Sequence, residues 1–271
     1  MKQRFWKLLA LAVLVAVVTA PVQAKKVNPI KDWRRTLFAS YGQRTLVFEA
    51  PVGMCFLDES DYLEGALLSH MKNLSGSQYQ LIGTFGDCLE ISKFQRNYQD
   101  ALLASPQGGG AGVTGTLKKH GSIYWVNPEN GDDVISLQRS EYLSVREKTF
   151  RDDVIKDVAR DYRTNGSKTA SQQGNLTLTS LMARPDEYKF DDAVHSTPDG
   201  LSLAYQLDTE IEYQKSHEAG IVATTLIRHM PLQFSFDFST GEPDKDNKAL
   251  YKMMDTFLAQ QIKLNAQMAN Q

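Results

Sequence analysis

The stretch Leu201-Ser202-Leu203-Ala204-Tyr205-Gln206-Leu207-Asp208 decides the fold class. Leu201, Leu203, Tyr205 and Leu207, continued by Ile211 and Tyr213, alternate with Ser202, Gln206, Asp208, Glu210 and Glu212. The same rhythm returns downstream, where Leu232, Phe234, Phe236 and Phe238 alternate with Gln233, Ser235, Asp237 and Ser239. A period of two predicts strands with one buried and one wet face, the pattern of an antiparallel sheet. Between them, Ile221–Arg228 is β-branched and rich in Thr, and short connections join the three stretches. A three-stranded C-terminal meander is the expected topology. Past Gly241, Pro243 and Asp244, a long helix is expected with Leu250, Met253, Met254, Phe257, Leu258, Ile262 and Leu264 on one stripe. That stripe would cover the apolar face of the sheet, which makes the fold α+β.

Upstream, Thr45–Ala50 reads as a strand ending at Pro51. Leu63, Ala66, Leu67, Met71 and Leu74 then fall at helical spacing, with Ser60 and Asp61 as start signals and Gly76 as the stop. A second strand is expected from Tyr79 to Phe85, running on through Cys88 to Ile91. Ser122–Val126 reads as a short aromatic strand, and 140–163 as a charged helix with Phe150, Val154, Val158 and Tyr162 on its buried side. Residues 165–175 form a polar linker and the one candidate sub-boundary in a domain covering 44–271.

The first 24 residues carry Lys2, Arg4 and Lys7, no acid, and an unbroken apolar run over Leu8–Val18. That run is too short to span a bilayer of roughly 30 Å as a helix. Pro21 stops it, and Val22 and Ala24 supply small residues for cleavage, the pattern of a secretory signal peptide over 1–24. The chain is therefore expected to work in the periplasm or outside the cell, with no transmembrane anchor after cleavage. Residues 25–43 form a basic lead-in around Trp33, read as a tether.

Over the whole chain 30 basic residues face 32 acidic ones, a net charge of −2; without Lys2, Arg4 and Lys7 the balance is −5. A mildly acidic chain argues against a general nucleic-acid binder. Cys55 and Cys88 are the two cysteines. In an oxidising compartment they are expected to form one structural bridge, with a loop-entropy contribution of roughly 3–4 kcal/mol.

Two patterns match catalytic or cofactor motifs, and a spacing argument adds a third candidate. Gly110-Ala111-Gly112-Val113-Thr114-Gly115 fits the dinucleotide pattern G-x-G-x-x-G, but no amphipathic helix follows to place amides on a pyrophosphate, so it reads as a loop and no cofactor is expected. Ser69-His70-Met71-Lys72 fits S-x-x-K, the nucleophile motif of penicillin-binding serine enzymes, yet Ser69 lies deep within its helix and the companion motifs are missing. Ser69 falls well off the helix's apolar stripe, facing solvent or the helix edge, so no catalytic residue is assigned. The histidines allow one spacing argument. With His217 in the first meander turn and His229 in the second, the two would stand about 27 Å apart and share no metal. His195 and Asp199 precede the first strand and fall at the rim of His229, with Asp191 and Asp192 in reach. A His195/Asp199/His229 set there could hold a divalent metal.

The strand ending in Pro-x-Gly at Pro51-Val52-Gly53, the later antiparallel strands and the closing helix resemble the PsbP/Mog1-type α+β domain. The segments Gly53-Met54-Cys55-Phe56-Leu57-Asp58 and Phe85-Gly86-Asp87-Cys88-Leu89-Glu90 also resemble an uncharacterised family of exported proteobacterial proteins. The first likeness implies a binding or assembly role by architecture alone; the second implies export and brings no activity. The expectation is a non-enzymatic binding or envelope-assembly factor, with a protein or small-molecule ligand in the envelope. The alternative is a metal-assisted hydrolase at the His195/Asp199/His229 rim.

Overall fold

A computed structural model describes residues 33–41, 44–74, 78–104, 115–126, 136–165, 176–178, 188–211, 214–239 and 247–268. The chain divides after Trp33, and everything below concerns the unit Arg34–Gln271. Its elements run β1 (Thr36–Tyr41), β2 (Arg44–Glu49), β3 (Met54–Phe56), α1 (Tyr62–Leu74), β4 (Tyr79–Asp87), α2 (Cys88–Ala104), β5 (Gly115–Leu117) and β6 (Lys119–Val126). There follow α3 (Arg139–Arg146), α4 (Phe150–Asn165), β7 (Leu176–Leu178), β8 (Tyr188–Phe190), β9 (His195–Thr197), β10 (Gly200–Ile211), β11 (Gln214–Ile227), β12 (Met230–Ser239) and α5 (Asn247–Met268). The mixture of helices with antiparallel strands is α+β.

The main sheet has eight strands in the order β3-β4-β6-β12-β11-β10-β8, with β9 also on β10. β10 pairs antiparallel with β11 from Leu201↔Thr224 to Ile211↔Gln214, and β11 with β12 from Glu218↔Ser239 to Ile227↔Met230. The turn between β11 and β12 has two residues, Arg228 and His229, both with positive φ (51° and 63°), the geometry that follows the twist of a tight hairpin.

One face of this sheet is dry. Ala204, Ile221, Ala223, Leu232, Phe234 and Phe236 meet Leu250, Met254, Phe257 and Leu258 of α5. The other face carries two separate apolar clusters. Leu63, Leu67, Leu68 and Met71 of α1 pack with Leu81, Ile91 and Phe94, while Tyr142, Leu143, Phe150 and Val154 pack on Leu201, Leu203, Tyr205 and Leu207.

Several expectations change. The run from Tyr79 through Ile91 is not one strand: β4 stops at Asp87, whose Oδ1 accepts the amides of Leu89 (2.8 Å) and Glu90 (3.2 Å) and so caps α2. Cys88 opens that helix. The charged helix of 140–163 is two helices, broken by a turn at 147–149. His217 lies within β11 opposite Asp208, because the hairpin turns between Ile211 and Gln214, not at 217. Six residues of the expected tether, Thr36–Tyr41, form a strand, β1. The helix α1 begins as expected, with Asp61 Oδ1 accepting the amides of Leu63 and Glu64 at 3.0 Å.

The stripe of α5 also differs at its C-terminal end, where Gln261 and Asn265 are fully buried instead of Leu264. Asn265 accepts the Val47 amide (2.9 Å) and donates to the Val47 carbonyl (2.8 Å). Gln261 does the same for Glu49, at 3.0 Å in each direction. One helix turn separates the two carboxamides, and together they satisfy the inner edge of β2 as a neighbouring strand would.

Candidate functional site

The densest chemistry lies on the second face of the sheet, in the gap between its two apolar clusters. Strand register lines up His120 of β6, Asp237 of β12, Gly220 of β11 and Tyr205 of β10 in one row. Gly220 keeps the row open, since a Cβ there would overlap Tyr205 Cζ and its hydroxyl. The tyrosine ring therefore lies across Gly220, and its hydroxyl donates to Asp237 Oδ1. On the other side His120 Nε2 stands 3.2 Å from Asp237 Oδ2, and His120 Nδ1 is 3.2 Å from the Leu117 carbonyl. Glu218, two residues from Gly220 on the same strand, is also buried.

A carbonyl and a carboxylate are both acceptors, so this geometry asks both imidazole nitrogens to carry protons. Burial of His120 works against that charge, but the carboxylates of Asp237 and Glu218 outweigh it and hold its pKa above the ordinary value. Burial and the neighbouring Asp237 charge push the Tyr205 phenol far in the other sense, well above its usual range, so it stays a donor. All four residues are between 2% and 4% exposed. A His–Asp–Tyr set of this kind could move protons, but here its donors and acceptors face one another and not an opening.

The residues singled out by sequence each have their own setting. His195 on β9 bonds Asp255 of α5 through Nε2 (3.0 Å) and lies against the ring of Tyr251. Asp191 accepts from Tyr251 Oη (2.7 Å) and Asn247 (2.6 Å), and burial with the Asp191 bond pushes the Tyr251 phenol upward. Asp199 sits 3.4 Å from Arg139, Asp192 is exposed, and His229 is exposed at its turn. Among the described residues no group of three His, Cys, Asp or Glu side chains is placed to hold a metal ion. Ser69 is exposed on α1 and Lys72 reaches Glu59 at 2.7 Å. Residues 110–114 of the glycine-rich motif lie outside the described residues.

The cysteines do meet. Cys55 of β3 and Cys88 of α2 form a disulfide with their Cα atoms 5.1 Å apart, and the Cys88 amide donates to the Gly53 carbonyl at 3.0 Å. This double tie brings the flanking residues Val52 and Leu89 to one rim, where they are 90% and 71% exposed. Behind the rim, Arg34 donates to the Phe56 carbonyl (3.0 Å) and pairs with the fully buried Glu64, which also accepts the Asp58 amide (2.7 Å) and Gln95 (2.5 Å). Burial raises the Glu64 pKa, and the Asp58 amide and Arg34 oppose it.

Sequence reading missed the row because its members are scattered from His120 to Asp237 and Asp237 alternates as if on a wet face. The usable signal was Gly220, an isolated glycine inside a β-branched run, which marks a close approach. Comparison with protein-family models, with characterised proteins and with solved structures finds no match to this chain. Among the described residues no helix is long and apolar enough to cross a membrane.

Proposed function

We propose that this protein is an exported, non-enzymatic binding or envelope-assembly factor, acting in an oxidising compartment such as the periplasm. The leader-like 1–24 segment and the Cys55–Cys88 bridge support that compartment. One observation supports the binding role: the His120–Asp237–Tyr205 row is buried on itself, whereas Val52 and Leu89 stand in solvent on a rim braced by a disulfide. Apolar side chains held rigidly in water suit docking of an apolar surface of a protein partner. The PsbP/Mog1-type likeness points the same way. Co-purification from the native envelope, with mass spectrometry of what is retained, tests the reading. A specific partner should be retained by the natural chain and lost from Leu89→Asp; equal recovery from both would overturn it. The hydrolase alternative predicts a rise in melting temperature with zinc or manganese, since a ligand bound only to the native state stabilises it.

A further inference from the structure

The hairpin β1–β2 has two edges, and the fold treats them differently. On β2 the amides and carbonyls of Val47 and Glu49 turn inward to the carboxamides of Asn265 and Gln261, and the Thr45 carbonyl turns inward to Arg228 at 2.8 Å. Backbone polarity alternates along a strand, so Arg44, Leu46 and Phe48 face β1, opposite Tyr41, Ala39 and Leu37. The bond from the Ala50 amide to the Arg35 carbonyl (2.8 Å) continues that alternation. It follows that Thr36, Phe38 and Ser40 direct their amides and carbonyls away from β2. Among the described residues β1 pairs with β2 alone.

This outer edge lacks the devices that normally keep an edge solitary. Thr36–Tyr41 contains no charge and no proline, and its six residues pair with β2 without a bulge. Leu37 and Ala39 pack on the core, while Phe38 is 63% exposed and Ser40 is exposed with it. The geometry points to a second copy of this chain as the occupant, its β1 running antiparallel about a two-fold axis through Phe38. That register opposes Phe38 to Phe38, and Thr36 to Ser40, which are favoured aromatic and hydroxyl cross-strand pairs. It uses every outward backbone group of Thr36, Phe38 and Ser40 in about six hydrogen bonds, and no like charges meet. The two hairpins then form one four-stranded sheet, β2-β1-β1-β2.

Cysteine cross-linking reads this register directly, because the two native cysteines are bridged and an added one is the sole thiol. In a hydrogen-bonded antiparallel pair the Cα atoms are about 5.5 Å apart, inside the span a disulfide takes. Phe38→Cys should therefore give a disulfide-linked dimer on mild oxidation. Thr36→Cys alone should not, but mixed with Ser40→Cys it should form the heterodimer. Sedimentation of the natural chain should show a concentration-dependent doubling of mass, and Phe38→Lys should weaken the dimer about tenfold or more, since like charges would face each other. A natural chain that stays monomeric through the micromolar range overturns the inference. So does equal cross-linking at 36 and 38, or an edge occupied only when a different protein is added.

Discussion

On the second face of the sheet, His120, Asp237 and Tyr205 are closed on one another within a few per cent of full burial; beside the disulfide that ties β3 to α2, Val52 and Leu89 stand mostly in water. The two regions invert the usual distribution of polar and apolar side chains. A buried ion pair seldom adds stability over an apolar core of the same shape, although losing one partner is costly. An exposed apolar pair costs nothing in the fold and is available to a partner. We therefore read the row as a fixture that holds four strands in register and the rim as the surface open to a partner.

The sharpest way to break this contrast is Asp237→Ala. It strips a charged, buried His120 and the Tyr205 hydroxyl of their shared acceptor, and should cost about 3–5 kcal/mol in denaturant unfolding. A loss below about 1 kcal/mol would mean the row is wet and adaptable, more like a site than a fixture. Replacing Cys55 and Cys88 together by Ser should cost roughly 3–4 kcal/mol and should loosen the rim, seen as faster amide exchange at Val52 and Leu89.

The third expectation concerns pH. Because the folded state holds the His120 pKa above its ordinary value of 6.5, folding is favoured by protonation. The contribution is complete below that ordinary value and fades as pH rises through the folded-state value. Natural-chain stability should fall over that window more steeply than that of Asp237→Asn, in which the partner charge is gone. Parallel curves would place the titration elsewhere. The smallest effects belong outside: Val52→Ser, Leu89→Ser and Ser69→Ala should each change stability by less than about 0.5 kcal/mol. For Ser69→Ala the expected result extends to labelling with a fluorophosphonate or β-lactam probe, which should be as low in the natural chain as in the variant.

Alternation carried a good part of the fold into the sequence. Strands β10 and β12 lie where Leu201–Leu207 and Leu232–Phe238 alternate, and α5 lies where its stripe predicts it. What escaped has a common physical reason: a side chain doing a job usually given to backbone or to a loop. Asp87 ends a strand and caps a helix in the same position, leaving no turn residues to mark the boundary before Cys88. Gln261 and Asn265 stand in for a strand and so interrupt an apolar stripe with polar residues that are nonetheless buried. The His195/Asp199/His229 rim rested on proximity at strand ends, and each position has another setting: Asp255 for His195, Arg139 for Asp199 and solvent for His229. Glycine at 220 was visible, but the tyrosine that crosses it belongs to a different strand.

The proposed rim is tested most directly by placing a photo-cross-linking amino acid at Leu89 in cells that make and export this chain, with Val145 as the control. Val145 is also exposed, at 63%, and lies on α3, away from the disulfide. Irradiation is predicted to give one discrete, heavier adduct from position 89 and none from position 145. No adduct at 89, or the same diffuse smear from both positions, would contradict a docking surface at the disulfide rim.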